Sequence, residues 1–292
     1  VRRACIDIGS NTTRLLVADD ADPGLVVVGE ERAYTRIGVD MAGGDTISDA
    51  KCDEVTAVVA TQLARAQAMG AGEVHGVATA AIRHAANGAE LVTRLRGETG
   101  LAVTVLSGAQ EARLAFRGAT AMLAAAPSQC LGVLDVGGGS SEVVIGRAGA
   151  EIAWWVSLPV GSGVLSATHM HHDPPTAVEL AAARAQLATA TERVAWDGPR
   201  PARVLAVGGS ATSLCRLAGA RLDAAALGRA LAMLTARPAE RIAADHGIDP
   251  ARARLLPAGL VILAALSARL GGVVEVVRGG IREGVLLEAV AR

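Results

Sequence analysis

The sequence predicts an α/β protein of two duplicated lobes, and three observations carry that expectation. The segment Cys5-Ile6-Asp7-Ile8-Gly9-Ser10-Asn11-Thr12-Thr13-Arg14-Leu15-Leu16-Val17 returns in register as Val133-Leu134-Asp135-Val136-Gly137-Gly138-Gly139-Ser140-Ser141-Glu142-Val143-Val144-Ile145. The same order of apolar segments follows each copy: three strands, helix, strand, helix, strand, helix. A helical block at about 223–270 falls outside that shared order and reads as an insertion in the second half.

Each copy has β-branched apolar residues up to a carboxylate, then a glycine-containing turn with hydroxyls, then a second apolar run, the pattern of a strand-turn-strand hairpin. An Asp-x-Gly turn alone is ordinary, but two in register are not. In the first half, Leu25 to Tyr34 reads as a third strand. Ser48 caps a helix to about Met69, with Val55, Val58, Val59, Gln62 and Leu63 on one face. A strand at Val74 to Ala78, helical segments from Ala80 to about Arg96, a strand at Leu101 to Leu106 and a helix from Gln110 to Ala125, stopped by Pro127, complete it.

The second half gives strands at Leu131 to Val136, Glu142 to Gly146 and Glu151 to Ser157, then a helix from Thr176 to Val194. Val204 to Val207 is a strand, and Gly208-Gly209-Ser210 opens a helix. After the insertion come a strand at Val273 to Val277 and a last helix from Arg282. That helix is expected to cross back onto the first lobe, with Gly279-Gly280 as a hinge. The predicted lobes are 1–118 plus 283–292, and 119–282. Ligand belongs in the cleft between such lobes, where the two turns are expected to face one another.

Composition narrows the chemistry. With 292 residues, 51% hydrophobic and 20% charged, the chain is long enough for two packed cores and too apolar for disorder. The most apolar stretch, Leu255 to Ala268, is interrupted by Pro257 and falls short of the roughly 18–20 residues a bilayer needs, so it reads as a buried helix. No apolar leader precedes the first strand, which predicts a cytoplasmic protein without a membrane partner. Cys5, Cys52, Cys130 and Cys215 are scattered and read as free thiols. Lys51 is the only lysine, and it lies in a helix start rather than a glycine-rich loop, which argues against Walker-type phosphate loops and Schiff-base chemistry. A net charge of −1 and 2% aromatic residues argue against nucleic acid. The tract His169-Met170-His171-His172 precedes Asp173-Pro174-Pro175 and reads as solvated loop rather than a metal site.

The turns themselves point to phosphate. Glycine lets the backbone approach an anion, and successive N–H groups with nearby hydroxyls satisfy its oxygens. An Asp at the strand end suits the hard cation that accompanies phosphate. Where the second copy has Glu142 the first has Arg14, so the two copies differ in task and Arg14 is assigned to phosphate.

Several ordered motifs together resemble one family. They are Ile6-Asp7-Ile8-Gly9-Ser10-Asn11 with Arg14-Leu15, Ala78-Thr79-Ala80-Ala81-Ile82-Arg83 with Asn87, and Ser107-Gly108-Ala109-Gln110-Glu111-Ala112-Arg113-Leu114. Asp135 through Glu142, Ser157-Leu158-Pro159-Val160-Gly161 and Arg282-Glu283-Gly284 continue the match. The whole chain resembles the exopolyphosphatase/guanosine pentaphosphate phosphatase family, within the acetate and sugar kinase/Hsp70/actin fold. The resemblance implies actin-like, ribonuclease H-like lobes and a hydrolase releasing terminal orthophosphate from inorganic polyphosphate. Glu111 is then the general base. Asp7, Asp135 and Glu142 are the acidic cluster associated with Mg²⁺ or another divalent cation such as Mn²⁺. Arg83 and Arg282 grip phosphoryl oxygens. Gly9, Ser10, Asn11 and Thr12, with Gly137, Gly138, Gly139, Ser140 and Ser141, form the uncharged cradle.

Removal of the 5′ γ-phosphate of guanosine pentaphosphate is the nearest alternative. A kinase of the same fold is disfavoured by Glu111, and a non-catalytic nucleotide switch or actin-like assembly module is the reading from another class. A homodimer is compatible with all of them. The chain departs from the family in lacking an Arg after Pro159 and the C-terminal helical extension of long members, which puts processive action on long chains in question.

Overall fold

The computed structural model describes residues 1–22, 24–121, 123, 129–149 and 152–291. The expected helix end at Ala125 with its Pro127 stop, and the expected strand start at Glu151, lie outside them. The chain divides into two compact units, Val1–Leu123 with Gly279–Arg292, and Ala124–Arg278.

The first unit runs β1 (Arg2–Ile8), β2 (Thr13–Asp20), β3 (Leu25–Ala33), α1 (Ile37–Asp40), α2 (Asp49–Ala68), β4 (Glu73–Ala78), α3 (Ala80–His84), α4 (Gly88–Thr99), β5 (Val103–Val105) and α5 (Gly108–Thr120). Its sheet has the order β3-β2-β1-β4-β5. Alternation along β1 decides what each face meets. Ala4, Ile6 and Ile8 share a core with Val55 and Val59 of α2 and Leu91 and Leu95 of α4. Cys5 faces the other way, into a cluster with Leu16, Val77 and Leu114 of α5. Asp7 follows Cys5 by two residues and therefore belongs to the α5 face.

The second unit runs β6 (Cys130–Val136), β7 (Ser141–Arg147), β8 (Ile152–Leu158), α6 (Ser162–His169), α7 (Ala177–Glu192), β9 (Arg203–Val207), α8 (Gly208–Ala218), β10 (Arg221–Leu222), α9 (Ala224–Ala236), α10 (Ala239–His246), α11 (Pro250–Leu270) and β11 (Val274–Val276). Its order is β10-β11-β9-β6-β7-β8. Read from β8 inward, β8-β7-β6-β9-β11 reproduces the first sheet strand for strand, and β10 is an added edge. The duplication read in the hairpins thus extends to both sheets.

The last helix, α12 (Ile281–Val290), belongs to the first unit. Its Leu286 is buried beside Leu114, and Gly284 lies so close to α5 that an added Cβ would come within 2.1 Å of the Leu114 carbonyl oxygen. Gly279, at φ +109, and Gly280 press against Gly118 with the same closeness.

Two sequence expectations change. The segment after Pro159 is a helix, α6, where none was expected. The apolar stretch is part of α11, which runs 21 residues straight through Pro257. Pro250 and the Asp249 side chain start that helix, so the interior proline does not end it. By length and composition α11 is long and apolar enough to cross a membrane, yet 67% of its apolar window is buried inside the protein. The histidine tract follows the expectation at His171 and His172, which are exposed in the loop after α6 ends at His169, and hydrogen bonds order that loop. The Glu179 carboxylate accepts from the backbone N–H groups of His171, His172 and Thr176, and Arg254 donates to the carbonyls of Met170, His171 and His172. These hydrogen bonds, with that of Thr176 first, hold the Glu179 carboxyl far below the usual carboxylate range. Among the described residues, no three His, Cys, Asp or Glu side chains lie together as a metal-holding group.

Candidate active site

The two hairpin turns close in the same way. Gly9 N–H donates to the Thr12 carbonyl at 3.0 Å, and Gly137 N–H donates to that of Ser140 at 3.0 Å. Strand pairing on either side is also shared, with Ile8 opposite Thr13 and Val136 opposite Ser141. Each turn is then pinned from behind by the start of a helix. In the first unit Gly38 N–H reaches the Ser10 carbonyl at 2.7 Å and Arg36 N–H reaches that of Asn11 at 3.0 Å. In the second, Ser162 N–H reaches the Gly137 carbonyl at 2.9 Å, and Gly163 and Val164 reach that of Gly138 at 2.9 and 3.1 Å.

The consequence follows from peptide geometry. In a trans peptide the carbonyl of one residue and the N–H of the next point in opposite directions. Turning the Ser10 and Gly138 carbonyls back into α1 and α6 therefore turns the Asn11 and Gly139 N–H groups outward. This is the arrangement of amides that receives an anion. The unexpected α6 builds the second cradle, which explains why Gly161 is glycine: an added Cβ would come within 2.3 Å of the Gly138 backbone.

Buried polar atoms test whether phosphate and a cation fit. Among the described residues, three buried polar atoms without a hydrogen-bond partner meet at the first turn, Asp7 Oδ1, Ser10 Oγ and Asn11 Nδ2, and Ser210 Oγ is another in the second unit; others, such as Tyr34 Oη and Gln62 Oε1, belong to residues outside the turns. Unpaired buried polar atoms are rare and costly, so their concentration at a turn marks a place for polar ligand atoms. Other predicted cradle residues are engaged: Ser141 Oγ donates to the Val160 carbonyl at 2.6 Å. Thr12 and Ser140 are buried beside their turns.

The charges differ between the units. Asp7 stands opposite Arg14 on the paired strands. Burial pushes the Asp7 carboxyl above its ordinary value, while Arg282 and then Arg14 pull it down. Arg14 is lowered to about 10 by burial, then by repulsion from Arg282 and Arg32, and stays charged at neutral pH. In the second unit Asp135 stands opposite Glu142, so two carboxylates share one position on the ladder. Glu142 is 2% exposed and accepts from Ser157 Oγ at 2.8 Å. Asp135 lies against Gly208, where an added Cβ would come within 2.6 Å of its Oδ1. Gly208, at φ +88, lets α8 begin there.

Glu111 sits in the first turn of α5, whose start is fixed by a capping box between Ser107 and Gln110. It is 2% exposed and forms an ion pair with Arg83, which also donates to the Leu106 carbonyl at 2.6 Å. Arg83 lies in α3, which Thr79 precedes, and Thr79 N–H bonds the Ile8 carbonyl at 3.3 Å, next to the first turn. The structure thus joins Gly9, Thr79, Arg83 and Glu111 in one connected patch of the first unit. Arg282, 5% exposed, donates to the Leu15 carbonyl at 3.0 Å and to Glu30 at 2.9 Å. Its hydrogen bonds go to the protein, and its charge reaches Asp7.

Sequence reasoning missed Glu283, which acts on Asp7 from the first turn of α12, and the Ser162 start of α6. Glu283 had a signal, since it lies inside the Arg282-Glu283-Gly284 motif. Ser162 had none beyond its flanking glycines.

Known proteins resemble this chain over nearly its whole length. The chain is 32% identical to an uncharacterised protein of Streptomyces coelicolor, over 98% of this chain and 90% of that one. It is 30% identical to exopolyphosphatase 1 of Mycobacterium tuberculosis, over 98% of this chain and 88% of that one. The crystal structure of the Ppx/GppA family member of Aquifex aeolicus superposes with a TM-score of 0.81 at 28% identity, covering 100% of this chain and 98% of that one. The shared architecture is the actin-like fold of two α/β lobes. The Ppx/GppA phosphatase family matches residues 16–292, and the chain belongs to that family.

Proposed function

We propose that the chain is an exopolyphosphatase that releases terminal orthophosphate from inorganic polyphosphate with Glu111 as general base. The observation that carries this reading is a buried carboxylate on a capped helix start, connected through Arg83 and Thr79 to a turn whose polar atoms lack partners. Family membership and the 30% identity to an exopolyphosphatase support it.

The Gly9 to Thr12 turn receives phosphoryl oxygens through its outward amides, Ser10 Oγ and Asn11 Nδ2. The Gly137 to Ser141 turn does the same in the second unit. Arg14 adds positive charge beside the first turn. Arg83 orients Glu111 and is the cation for which an incoming phosphate competes. Glu111 takes the proton of the attacking water. Arg282 sets the field at Asp7 while its hydrogen bonds hold α12 to β2.

The carboxylates that would hold magnesium or manganese are Asp7 in one unit and Asp135 with Glu142 in the other. Such a cation takes few protein carboxylates and fills its shell with water and substrate phosphate. When bound, it neutralises nonbridging phosphate oxygens. The cytoplasm is the compartment we assign, since all four cysteines are free thiols.

The test is phosphate release from short polyphosphate, long polyphosphate, guanosine pentaphosphate and ATP, with magnesium or chelator, for wild type and Glu111→Gln. Turnover by wild type on polyphosphate that Glu111→Gln lacks supports the assignment. Equal turnover in the two proteins removes Glu111 as base, and faster release from guanosine pentaphosphate reassigns the substrate.

A further inference from the structure

The chain has only five aromatic residues, three Trp, one Tyr and one Phe. Two of them meet at one surface cavity of the second unit. Trp154 of β8 and Trp196, in the segment between α7 and β9, have ring centroids 5.3 Å apart with planes tilted by 36°. They line a cavity of about 360 Å³ together with Arg200 and Arg269. Its floor is Ile145 of β7 and Leu270 of α11, both buried.

The walls are preformed. Trp196 Nε1 donates to the Thr191 carbonyl at 3.1 Å, which fixes its ring. Gly198 lies flat on Trp154, since an added Cβ would come within 2.8 Å of the indole. Pro199 and Pro201 stiffen the rim around Arg200. The Arg269 guanidinium stands 5.5 Å over the Trp196 ring. Arg200 and Arg269 are both exposed, and among the described residues neither pairs with a carboxylate.

Aromatic walls and two arginines without acidic partners are the chemistry of a planar base joined to an anion. The volume falls in the range of small-molecule sites. We propose that this cavity binds a nucleotide, its base against the tryptophans and its phosphate on Arg200 and Arg269. It is separate from the phosphate turns and holds whether or not the chain hydrolyses polyphosphate.

Calorimetric titration of the full chain with AMP and GMP, in the Glu111→Gln background without divalent cation, tests the site. Ribose 5-phosphate and inorganic pyrophosphate serve as ligands that lack a base. We expect one nucleotide per chain, with both base-free ligands at least about tenfold weaker, as the loss of one stacked base predicts. Ala268→Glu places a carboxylate at the exposed rim, and the double variant Arg200→Ala/Arg269→Ala removes both cations. Each should weaken AMP at least about tenfold, and in otherwise wild-type protein each should leave polyphosphate hydrolysis within about twofold. Absence of saturable binding by AMP or GMP overturns the proposal. So does pyrophosphate binding that is as tight as that of AMP and is lost in both variants, or nucleotide binding that survives both variants. Loss of hydrolysis with nucleotide binding intact in Glu111→Gln would leave this site standing while supporting the separate assignment of the base.

Discussion

The two hairpins share a backbone and differ in charge. Both turns close with a 3.0 Å bond, and both have carbonyls drawn back by a helix start. The first then sets Asp7 opposite Arg14, and the second sets Asp135 opposite Glu142. Duplication has kept what the main chain must do, which is to aim amides outward, and changed what side chains decide. A backbone cradle suits any phosphate, whereas a carboxylate–arginine pair and a carboxylate pair act differently on cation and anion. Neither turn supplies the group proposed as base. Glu111 stands on α5, outside the repeated segment.

The largest expected effect separates the base from both cradles. Glu111→Gln should lower phosphate release by roughly 10² to 10⁴-fold while phosphate binding persists, measured by steady-state turnover and by calorimetry with a non-hydrolysable polyphosphate analogue. Equal losses in binding and turnover would make Glu111 part of the cradle.

Asp7→Asn tests the charge difference between the turns. It should raise the magnesium concentration needed for half-maximal activity about tenfold or more while the melting temperature holds or rises, because the buried carboxyl is costly to ionise. An unchanged magnesium requirement would assign the cation to the second unit alone.

The pinning of the turns can be broken unequally. Gly161→Ala must displace the Gly138 backbone and should cost about 1–3 kcal/mol in chemical denaturation. Gly38→Ala meets Ser10 only at 3.4 Å and should stay within about 0.5 kcal/mol. Equal effects would mean that the two helix starts hold their turns in the same way.

The smallest effect lies away from both turns. Glu179 has a folded value far below its unfolded one of 4.5, so its stabilisation is complete above that pH and is lost progressively as pH falls from there toward the folded value. Wild type should therefore lose more melting temperature than Glu179→Gln between about pH 6 and pH 3, and parallel curves would exclude the carboxylate as the source.

Much of this was legible in the chain. The hairpins announced themselves through paired Asp and Gly, and the sheets followed through β-branched runs. Short-range signals such as Ser48, Ser107 and Thr176 located helix starts because capping is a local reaction. What depended on distant packing was hidden. The start of α6 bonds to carbonyls some 25 residues earlier, and no local pattern encodes that. Pro257 reads as a break, but surrounding core contacts sustain the helix through it. Arg83 could be singled out by its motif, yet its partnership with Glu111 spans 28 residues and two helices.

The return of α12 to the first unit has a consequence for how the protein is made. Leu114 and Gly118 are covered by Leu286, Gly284 and Gly280, so the first unit is completed only after the whole of the second has been synthesised. The second unit, by contrast, is continuous and has all of its strands available earlier. During synthesis the α5 surface that carries Glu111 waits for its cover while the second unit closes, and a nascent chain stalled before Gly279 would hold a finished second unit beside an unfinished first.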